Sequence, residues 1–312
     1  MTDPKEEIAK QCSMDFQSDW RARLSQKLAD LGYPNTGLDD EWTLFNKIAN
    51  IERRNVAAKP RTLFVSKELA CPVDLQSGLE ELKRKVQAGE DLRPHLSTGI
   101  LRIEEEDLLL NDWGIHHFHL GTGPHRSLPD FNERTGPVLF ARVTQDAFYM
   151  INVLGHGSWT DTDLIEILHR NWPASIIKFK ANGVVGVAWP NNQKPTAQER
   201  QRMRKAGINV FIELADGTVY NPLALGLTSA GTNVAVTMQF NAYRRAMKEL
   251  SKQVLDKMPD VLKHAKEIGL PMKPPYLLRF QGFHDRGPII YDEANDVQFV
   301  IDVLSEKTRE HT

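Results

Sequence analysis

Histidines are concentrated in one stretch of this chain. Five of the ten lie between Ile115 and His156, and three of those five fall in the run 115–121, Ile-His-His-Phe-His-Leu-Gly. Histidine titrates near neutral pH, so a cluster of imidazoles can include both a proton donor and a proton acceptor. Neutral imidazoles also bind metal ions. The cluster therefore indicates two kinds of chemistry, proton transfer and metal binding.

The alternation of side chains along a strand decides which of these histidines would act together. If residues 115–120 form a strand, His117 and His119 point to one face, and His116 points to the other face beside Phe118. Side chains two residues apart lie about 6.6 Å apart along a strand, so two imidazoles converge on one phosphate or one metal ion. His117 and His119 are the predicted functional pair, and His116 is interpreted as a packed neighbour.

A fourth histidine, His156, follows a predicted strand and lies between Gly155 and Gly157. Glycine lets the backbone approach another group closely, which suits a site. If the strand before it pairs beside residues 115–120, His156 reaches the same surface as His117 and His119. The alternative is that the two glycines only form a turn before the next helix, and the sequence leaves both interpretations open.

The first functional hypothesis is cleavage of RNA without a metal ion or other cofactor. This reaction needs a base for the 2′-hydroxyl proton, an acid for the leaving oxygen, and a cation or fixed dipoles for the phosphate charge. RNA would then be the partner. The candidates for proton transfer are His117, His119 and His156, and the candidates for the substrate-binding or electrostatic role are Arg142, Arg126, His125 and Lys178.

The second hypothesis is a metal-dependent hydrolase. Two histidines separated by one residue on a strand commonly supply two ligands for zinc or manganese, and His156 would be the third. Cupin-like sheets use such a pair together with a glutamate a few residues later, where this chain has Gly123 and Pro124. The third hypothesis is a non-catalytic binding module, because the aromatic residues near the histidines would also suit a core or a partner surface.

Two polar features of the sequence lie outside the histidine run. Asp112 precedes the run and is expected to orient an imidazole by accepting its N–H. A basic stretch follows a capping-box motif and is interpreted as the solvated face of a helix; it consists of Arg200, Arg202, Arg204 and Lys205.

The elements that must position the histidines follow from periodicity. Residues 1–96 form a mainly helical segment, with predicted helices near 20–31, 42–51 and 77–86 and a strand at 61–66. Residues 97–190 form a central α+β segment with strands at 115–120, 138–143 and 148–154, a turn at 145–146, a helix ending near His169 and a further strand at 184–189. Residues 191–312 form a third, α+β segment.

In that third segment the pattern predicts a helix from Thr196 to Gly207 and a hairpin over 210–220. The alternation over 233–240 favours a strand before a long helix over 242–261. A strand is expected at 276–280 and a helix at 297–303. The predicted fold class is α+β, with a mainly antiparallel histidine-bearing sheet flanked by an N-terminal helical segment and a C-terminal hairpin-plus-helix segment.

The segment 115–159 resembles the twisted sheet of RelE-like ribonuclease toxins. The resemblance rests on a histidine-bearing strand followed by the hairpin 138–143 and 148–153. It implies a small sheet whose concave face cuts RNA, with Arg142 and His156 at the positions of that group's basic catalytic residues. It also implies a toxin or defence effector, which could have an antitoxin as protein partner. The long flanking segments depart from those compact toxins.

The composition of the chain limits its possible partners and its expected location in the cell. The chain has 312 residues, and 39 Lys and Arg nearly balance 41 Asp and Glu, so its net charge of −2 gives no general attraction to nucleic acid or membrane. RNA would have to bind a local patch. Cys12 and Cys71 lack metal-type spacing, and no apolar run approaches the roughly 20 residues of a membrane helix. The expected location is the cytoplasm, without membrane contact.

Overall fold

A computed structural model describes residues 4–33, 37, 39–184, 186–189 and 193–301, and it has the predicted α+β fold class. The helices with their bounds are α1 (Pro4–Gln11), α2 (Phe16–Asp30), α3 (Glu41–Arg54), α4 (Gln76–Ala88), α5 (Leu108–Trp113), α6 (Asp163–Asn171), α7 (Pro173–Ile176), α8 (Ala197–Lys205) and α9 (Val234–Glu267). The strands are β1 (Cys12–Met14), β2 (Thr62–Val65), β3 (Ile115–His119), β4 (Pro137–Val143), β5 (Ala147–Gly155), β6 (Ile212–Glu213), β7 (Val219–Tyr220), β8 (Tyr276–His284), β9 (Gly287–Asp292) and β10 (Val297–Val300).

The chain divides into two compact units. One unit, called the histidine unit below, comprises Ala49–Thr237. The other, called the terminal unit, comprises Met1–Ile48 together with Met238–Thr312. The three segments predicted from the sequence, 1–96, 97–190 and 191–312, have other boundaries than these two units. The predicted division into three domains stays a prediction.

The histidine unit contains the four-stranded sheet β2-β5-β4-β3. Strands β3, β4 and β5 pair antiparallel in sequence order, and β2 joins the edge of β5 in parallel, so the sheet is mainly antiparallel as predicted. The register sets Ile115 opposite Arg142 and His119 opposite Val138. A tight turn closes the β4–β5 hairpin, where Thr144 donates its backbone N–H to the carbonyl of Ala147 at 2.9 Å.

Both faces of this sheet are buried. On one face Phe118 and Phe148 pack in a cluster with Leu79 and Leu82 of α4. On the other face Ile115, Phe140 and Ile151 pack in a cluster that includes four apolar residues of α6, namely Leu164, Ile165, Ile167 and Leu168. His116 lies beside Phe118, with ring centroids 6.1 Å apart, whereas His117 and His119 alternate onto the α6 face.

Two expectations about the last part of the histidine unit have different outcomes. The hairpin is confirmed as β6 and β7, and the capping box between Thr196 and Glu199 begins α8 as predicted. The strand expected at 184–189 is wrong for the residues that the structure describes there, 184 and 186–189, which have no strand.

Two further expectations, one at the start of α9 and one near the end of the described residues, are wrong. The strand expected over 233–240 is wrong, because Asn233 accepts a hydrogen bond from the backbone N–H of Val236 and α9 begins at Val234. The alternation covers only the first two turns of α9. Along the whole helix the buried residues recur at intervals of three, four and seven residues. The helix expected at 297–303 is wrong over Val297–Val300, which form β10 beside β9; residues 302–303 lie outside the described part.

The sheet of the terminal unit has the order β1-β8-β9-β10. Aromatic side chains of α2, α3 and α9 pack around Phe240, whose ring centroid lies 5.7 Å from that of Trp20 and 5.1 Å from that of Trp42. Such contacts hold the helices of this unit together. The predicted histidine site does not involve them.

Candidate active site

Three histidine rings meet on the α6 face of the sheet. Their centroids form a near-equilateral triangle, with 6.1 Å between His117 and His119, 6.4 Å between His117 and His156, and 6.0 Å between His119 and His156. The register explains the meeting, because β5 ends at Gly155 opposite Pro137, next to the Val138 that faces His119. His156 also donates its backbone N–H to the carbonyl of Gly136 at 2.8 Å. These three residues are called the histidine cluster below.

Trp159 forms an aromatic wall beside the cluster. Its ring centroid lies 4.7 Å from that of His117 and 4.8 Å from that of His156, with both pairs edge to face. Phe140 supports the indole from the sheet, at 5.5 Å. The indole therefore restricts the orientations of two imidazoles.

A single backbone hydrogen bond decides where His119 carries its proton. Thr135 donates its backbone N–H to Nδ1 of His119, at 3.1 Å. Because a backbone N–H can only donate, Nδ1 must be the acceptor, and neutral His119 carries its hydrogen on Nε2. His119 is buried, and its Nε2 has no hydrogen-bond partner among the described residues. The ring therefore presents a fixed N–H donor that awaits an acceptor.

Burial keeps the cluster neutral. It is the main cause that lowers the pKa of His119 to about 3, and repulsion from Arg134 and from His117, when that ring is protonated, adds to the effect. Burial also lowers the pKa of His117, against the opposite effect of Asp107. The pKa of His156 is lowered by burial and then by Arg134. At neutral pH all three rings are therefore uncharged, although histidine outside a protein titrates close to that pH.

Arg134 is the positive charge that acts on the whole cluster, since it lowers the pKa of all three histidines. It is exposed, lies one residue before Thr135 and donates from Nη1 to Oγ1 of Thr98 at 3.3 Å. An exposed guanidinium beside neutral imidazoles is suited to bind a phosphate. Sequence reasoning missed it, because nothing in the pattern around Arg134 separates it from other loop arginines.

The structure places the other predicted site residues elsewhere. Arg142 faces Ile115, at the opposite end of β3 from His119, and its guanidinium lies over the Phe179 ring at 5.5 Å. Lys178 lies over the same ring at 5.0 Å. Arg142 and Lys178 therefore come together, but they do so about four residues of strand away from the meeting point of the histidines.

The predicted residues His125 and Arg126 lie in the loop that connects β3 with β4. Nδ1 of His125 accepts a hydrogen bond from the backbone N–H of Ser127, and Arg126 is exposed. The ring contacts of the described residues join His117, His119 and His156 to one another but not to His125. The loop matters chiefly through its end, which carries Arg134 and Thr135.

The histidine cluster can be tested as a metal site from its donors. A nitrogen that binds a metal uses its lone pair, and the other ring nitrogen of such a histidine usually donates its hydrogen to a carbonyl or carboxylate. His119 has the reverse arrangement, because Nδ1 accepts and Nε2 carries the hydrogen. Within the described ranges, no group of three or more His, Cys, Asp or Glu side chains has an arrangement that could hold a metal ion. In this arrangement Nε2 of neutral His119 has no free lone pair for a metal ion.

Asp112 does not orient an imidazole. Its Oδ2 pairs with Nε of Arg204 at 2.7 Å, and both residues are buried. The guanidinium also lies 4.5 Å from the ring centroid of Trp113 and donates from Nη1 to the carbonyl of Trp159. The basic stretch of α8 is therefore not simply a solvated face, because Arg204 turns inward and fixes the backbone of Trp159.

A cavity of about 270 Å³ adjoins the cluster at His117 and Trp159. Its charged lining residues are Glu105, Glu106, Asp107, Arg54, Arg204 and Lys205. Asp107 begins α5 by accepting the backbone N–H of Leu110 at 3.0 Å. A substrate that reaches the histidines therefore also meets a recess with fixed charges of both signs.

Comparison of the chain with known protein families, with curated protein sequences and with solved structures gives no match. The function must therefore be argued from the site itself. Within the described residues, no helix is long and apolar enough to cross a membrane.

Proposed function

We propose that the protein is an endoribonuclease that cleaves RNA by histidine acid–base chemistry without a metal ion. The observation that carries this proposal is the triangle of neutral imidazoles, in which the buried Nε2–H of His119 has no partner among the described residues. Breaking a phosphodiester next to a 2′-hydroxyl needs one proton acceptor, one proton donor and fixed donors for the phosphate oxygens.

The exposure of the three rings suggests their roles. His117 borders the cavity and is only partly buried, so its lone pair accepts the 2′-hydroxyl proton. The 2′-oxygen then attacks phosphorus, the bond from phosphorus to the 5′-oxygen breaks, and protonated His156 gives its proton to that oxygen. His156 is the exposed member of the cluster, and the charge of the bound phosphate raises its pKa so that it is protonated in the complex. The products are a 2′,3′-cyclic phosphate and a 5′-hydroxyl.

His119 and Arg134 would stabilise the charge that develops on the phosphate. The fixed Nε2–H of His119 donates to one phosphate oxygen, and the guanidinium of Arg134 binds another. A neutral histidine acts here as a hydrogen-bond donor, not as an acid. In the RelE-like resemblance this electrostatic role belonged to Arg142, and the placement of Arg134 supports a different arginine.

The proposal is tested by incubating the protein with end-labelled RNA, with and without EDTA. We expect cleavage that survives EDTA and leaves a cyclic phosphate, and no cleavage where the substrate has 2′-deoxyribose. His117→Asn and His156→Asn should each lower the rate about 100-fold or more. His125→Asn is the matched control, because His125 lies outside the cluster and should keep the wild-type rate.

Two other results would replace the proposal. Cleavage that EDTA abolishes and zinc or manganese restores would identify the metal-dependent hydrolase. Intact RNA in every condition would favour the non-catalytic binding module. If RNA cleavage is found, the proposed biological role is that of a cytoplasmic toxin or defence effector held in check by a protein partner. Growth arrest on expression, relieved by His117→Asn, would support that role.

A further inference from the structure

The cavity beside the histidine cluster has walls that are held in place before any ligand arrives. Asn50 donates from Nδ2 to the carbonyls of Ile103 and Glu105, at 2.9 and 2.8 Å. Arg54 donates from Nη1 and Nη2 to the carbonyls of Gly99 and Arg102, at 3.1 and 3.0 Å. These bonds fix the loop that carries the acidic lining residues, so the recess is preorganised for its ligand.

The lining of the cavity also contains an unused hydrogen-bond donor. Arg204 is only 3% exposed and lines the cavity. Its Nε is bound by Asp112 and its Nη1 by the Trp159 carbonyl, but its Nη2 has no partner among the described residues. A buried guanidinium nitrogen without an acceptor is unfavourable, so a ligand that brings an acceptor would be stabilised there.

The charged residues that line the cavity indicate what kind of ligand it would bind. The lining contains three carboxylates, of Glu105, Glu106 and Asp107, and three cations, of Arg54, Arg204 and Lys205. Because both signs are present, the lining suits an uncharged group with donors on one edge and acceptors on another. Guanine has this distribution, since N7 and O6 accept hydrogen bonds from arginine or lysine while N1–H and the 2-amino group donate to carboxylates.

We infer that this cavity binds a guanine base of the RNA, with the acceptor edge toward Arg204 and Lys205 and the donor edge toward the carboxylates. Trp159 lines both the cavity and the histidine cluster, so a base in the cavity would place its own phosphate beside the histidines. The inference rests on the proposed function for its substrate class. It adds that cleavage occurs next to guanosine.

Binding and cleavage are measured separately. In calorimetric titrations the full chain should bind guanosine 5′-monophosphate about tenfold more tightly than adenosine 5′-monophosphate. Inosine 5′-monophosphate, which lacks only the 2-amino group, should fall between them. All three share the phosphate, so the differences report the base. In cleavage of an oligoribonucleotide of mixed sequence, the cuts should fall next to guanosine.

Variants locate the effect. Lys205→Ala and Glu105→Gln should each reduce the preference for guanosine 5′-monophosphate several-fold, whereas Arg202→Ala, an exposed change on the same helix, should keep it. Equal affinities for the three nucleotides, or cuts spread evenly over the four bases, would overturn the inference and leave the ribonuclease standing. Preferential binding of the guanine nucleotide without any RNA cleavage would support the cavity and overturn the ribonuclease.

Discussion

Nδ1 of His119 accepts the backbone N–H of Thr135, and this one bond assigns the only hydrogen of the neutral ring to Nε2. The donor, Thr135, directly follows Arg134. One loop therefore both fixes the tautomer of His119 and carries the cation that acts on the cluster. In the proposed mechanism both donors, on His119 and on Arg134, bind the phosphate.

The first prediction concerns the protonation of His119. We expect its ring to stay in the neutral Nε2–H tautomer from pH 8 to pH 5, because burial lowers its pKa to about 3. Nitrogen-15 NMR of the imidazole distinguishes the two tautomers and the protonated ring. His264 is the control, because it is exposed on α9. A ring protonated on both nitrogens at pH 6 would contradict the arrangement.

The second prediction concerns stability in acid. Burial lowers the pKa of His119 to about 3 and that of His116 to about 4. At pH values between the folded and the unfolded pKa of each ring, the unfolded chain therefore binds more protons than the folded one. The stability that these two neutral histidines contribute is complete above the pKa of histidine in the unfolded chain, and it is lost as the pH falls below that pKa. Between pH 7.5 and 5.5 the free energy of unfolding should fall by about 1.4 kcal/mol for each histidine.

Urea denaturation at the two pH values measures this fall. The His119→Gln variant should show a smaller difference between the two pH values than the wild type, since one of the contributing histidines is gone. A free energy of unfolding that is the same at both pH values would contradict the lowered pKa values.

The third prediction concerns Arg134. Because its charge lowers the pKa of all three histidines, Arg134→Gln should raise these pKa values. In the rate–pH profile, the limb that reports loss of the neutral base should therefore move to higher pH. The loss of a phosphate-binding guanidinium should also lower the rate about 10- to 100-fold. Arg126→Gln, eight residues earlier in the same loop, is the control and should change neither quantity.

The fourth prediction concerns the packing of α4 on the end of β3. A Cβ atom on Gly78 would lie 1.8 Å from the carbonyl oxygen of Leu120, which directly follows β3. Gly78→Ala must therefore move either the helix or the strand, and we expect a loss of about 1–3 kcal/mol in the free energy of unfolding. Gly155→Ala is the matched control, since its Cβ would meet nothing within 4 Å.

The fifth prediction concerns the buried pair of Asp112 and Arg204. Asp112→Ala leaves a buried guanidinium without its counter-charge and should cost about 3–5 kcal/mol in stability. The double variant Asp112→Leu with Arg204→Met removes both charges and should recover much of that loss. Thermal and urea denaturation measure both. Equal losses in the single and double variants would contradict this account, because an unpaired buried charge would then not explain the loss.

Much of the sheet could be predicted from the sequence, because strands and hairpins leave local signals. The alternation over β3 assigned His117 and His119 to one face, and the short turn at Gln145 and Asp146 identified the β4–β5 hairpin. The approach of His156 to that pair was predicted only on the condition that the hairpin joins β3. That condition depends on long-range pairing, which no local pattern contains.

The cations of the site could not be predicted in the same way. Arg142 shares a strand with residues that do face the histidines, and only the register shows that it lies at the far end, opposite Ile115. Arg134 and Arg204 reach the site through a loop and through a helix distant in the sequence. Their roles depend on tertiary packing, whereas the histidines were visible because several of them occur on one short strand.

The anchoring of Trp159 by Arg204 has a consequence for shortened versions of the protein. A fragment covering residues 97–190 would keep His117, His119 and His156, yet it would lack α8 and with it the group that binds the Trp159 carbonyl. It would also lose the cationic side of the recess. We expect such a truncated chain to hold the reactive side chains without the partner residues that orient them, so a shortened chain meant to test the site has to include α8.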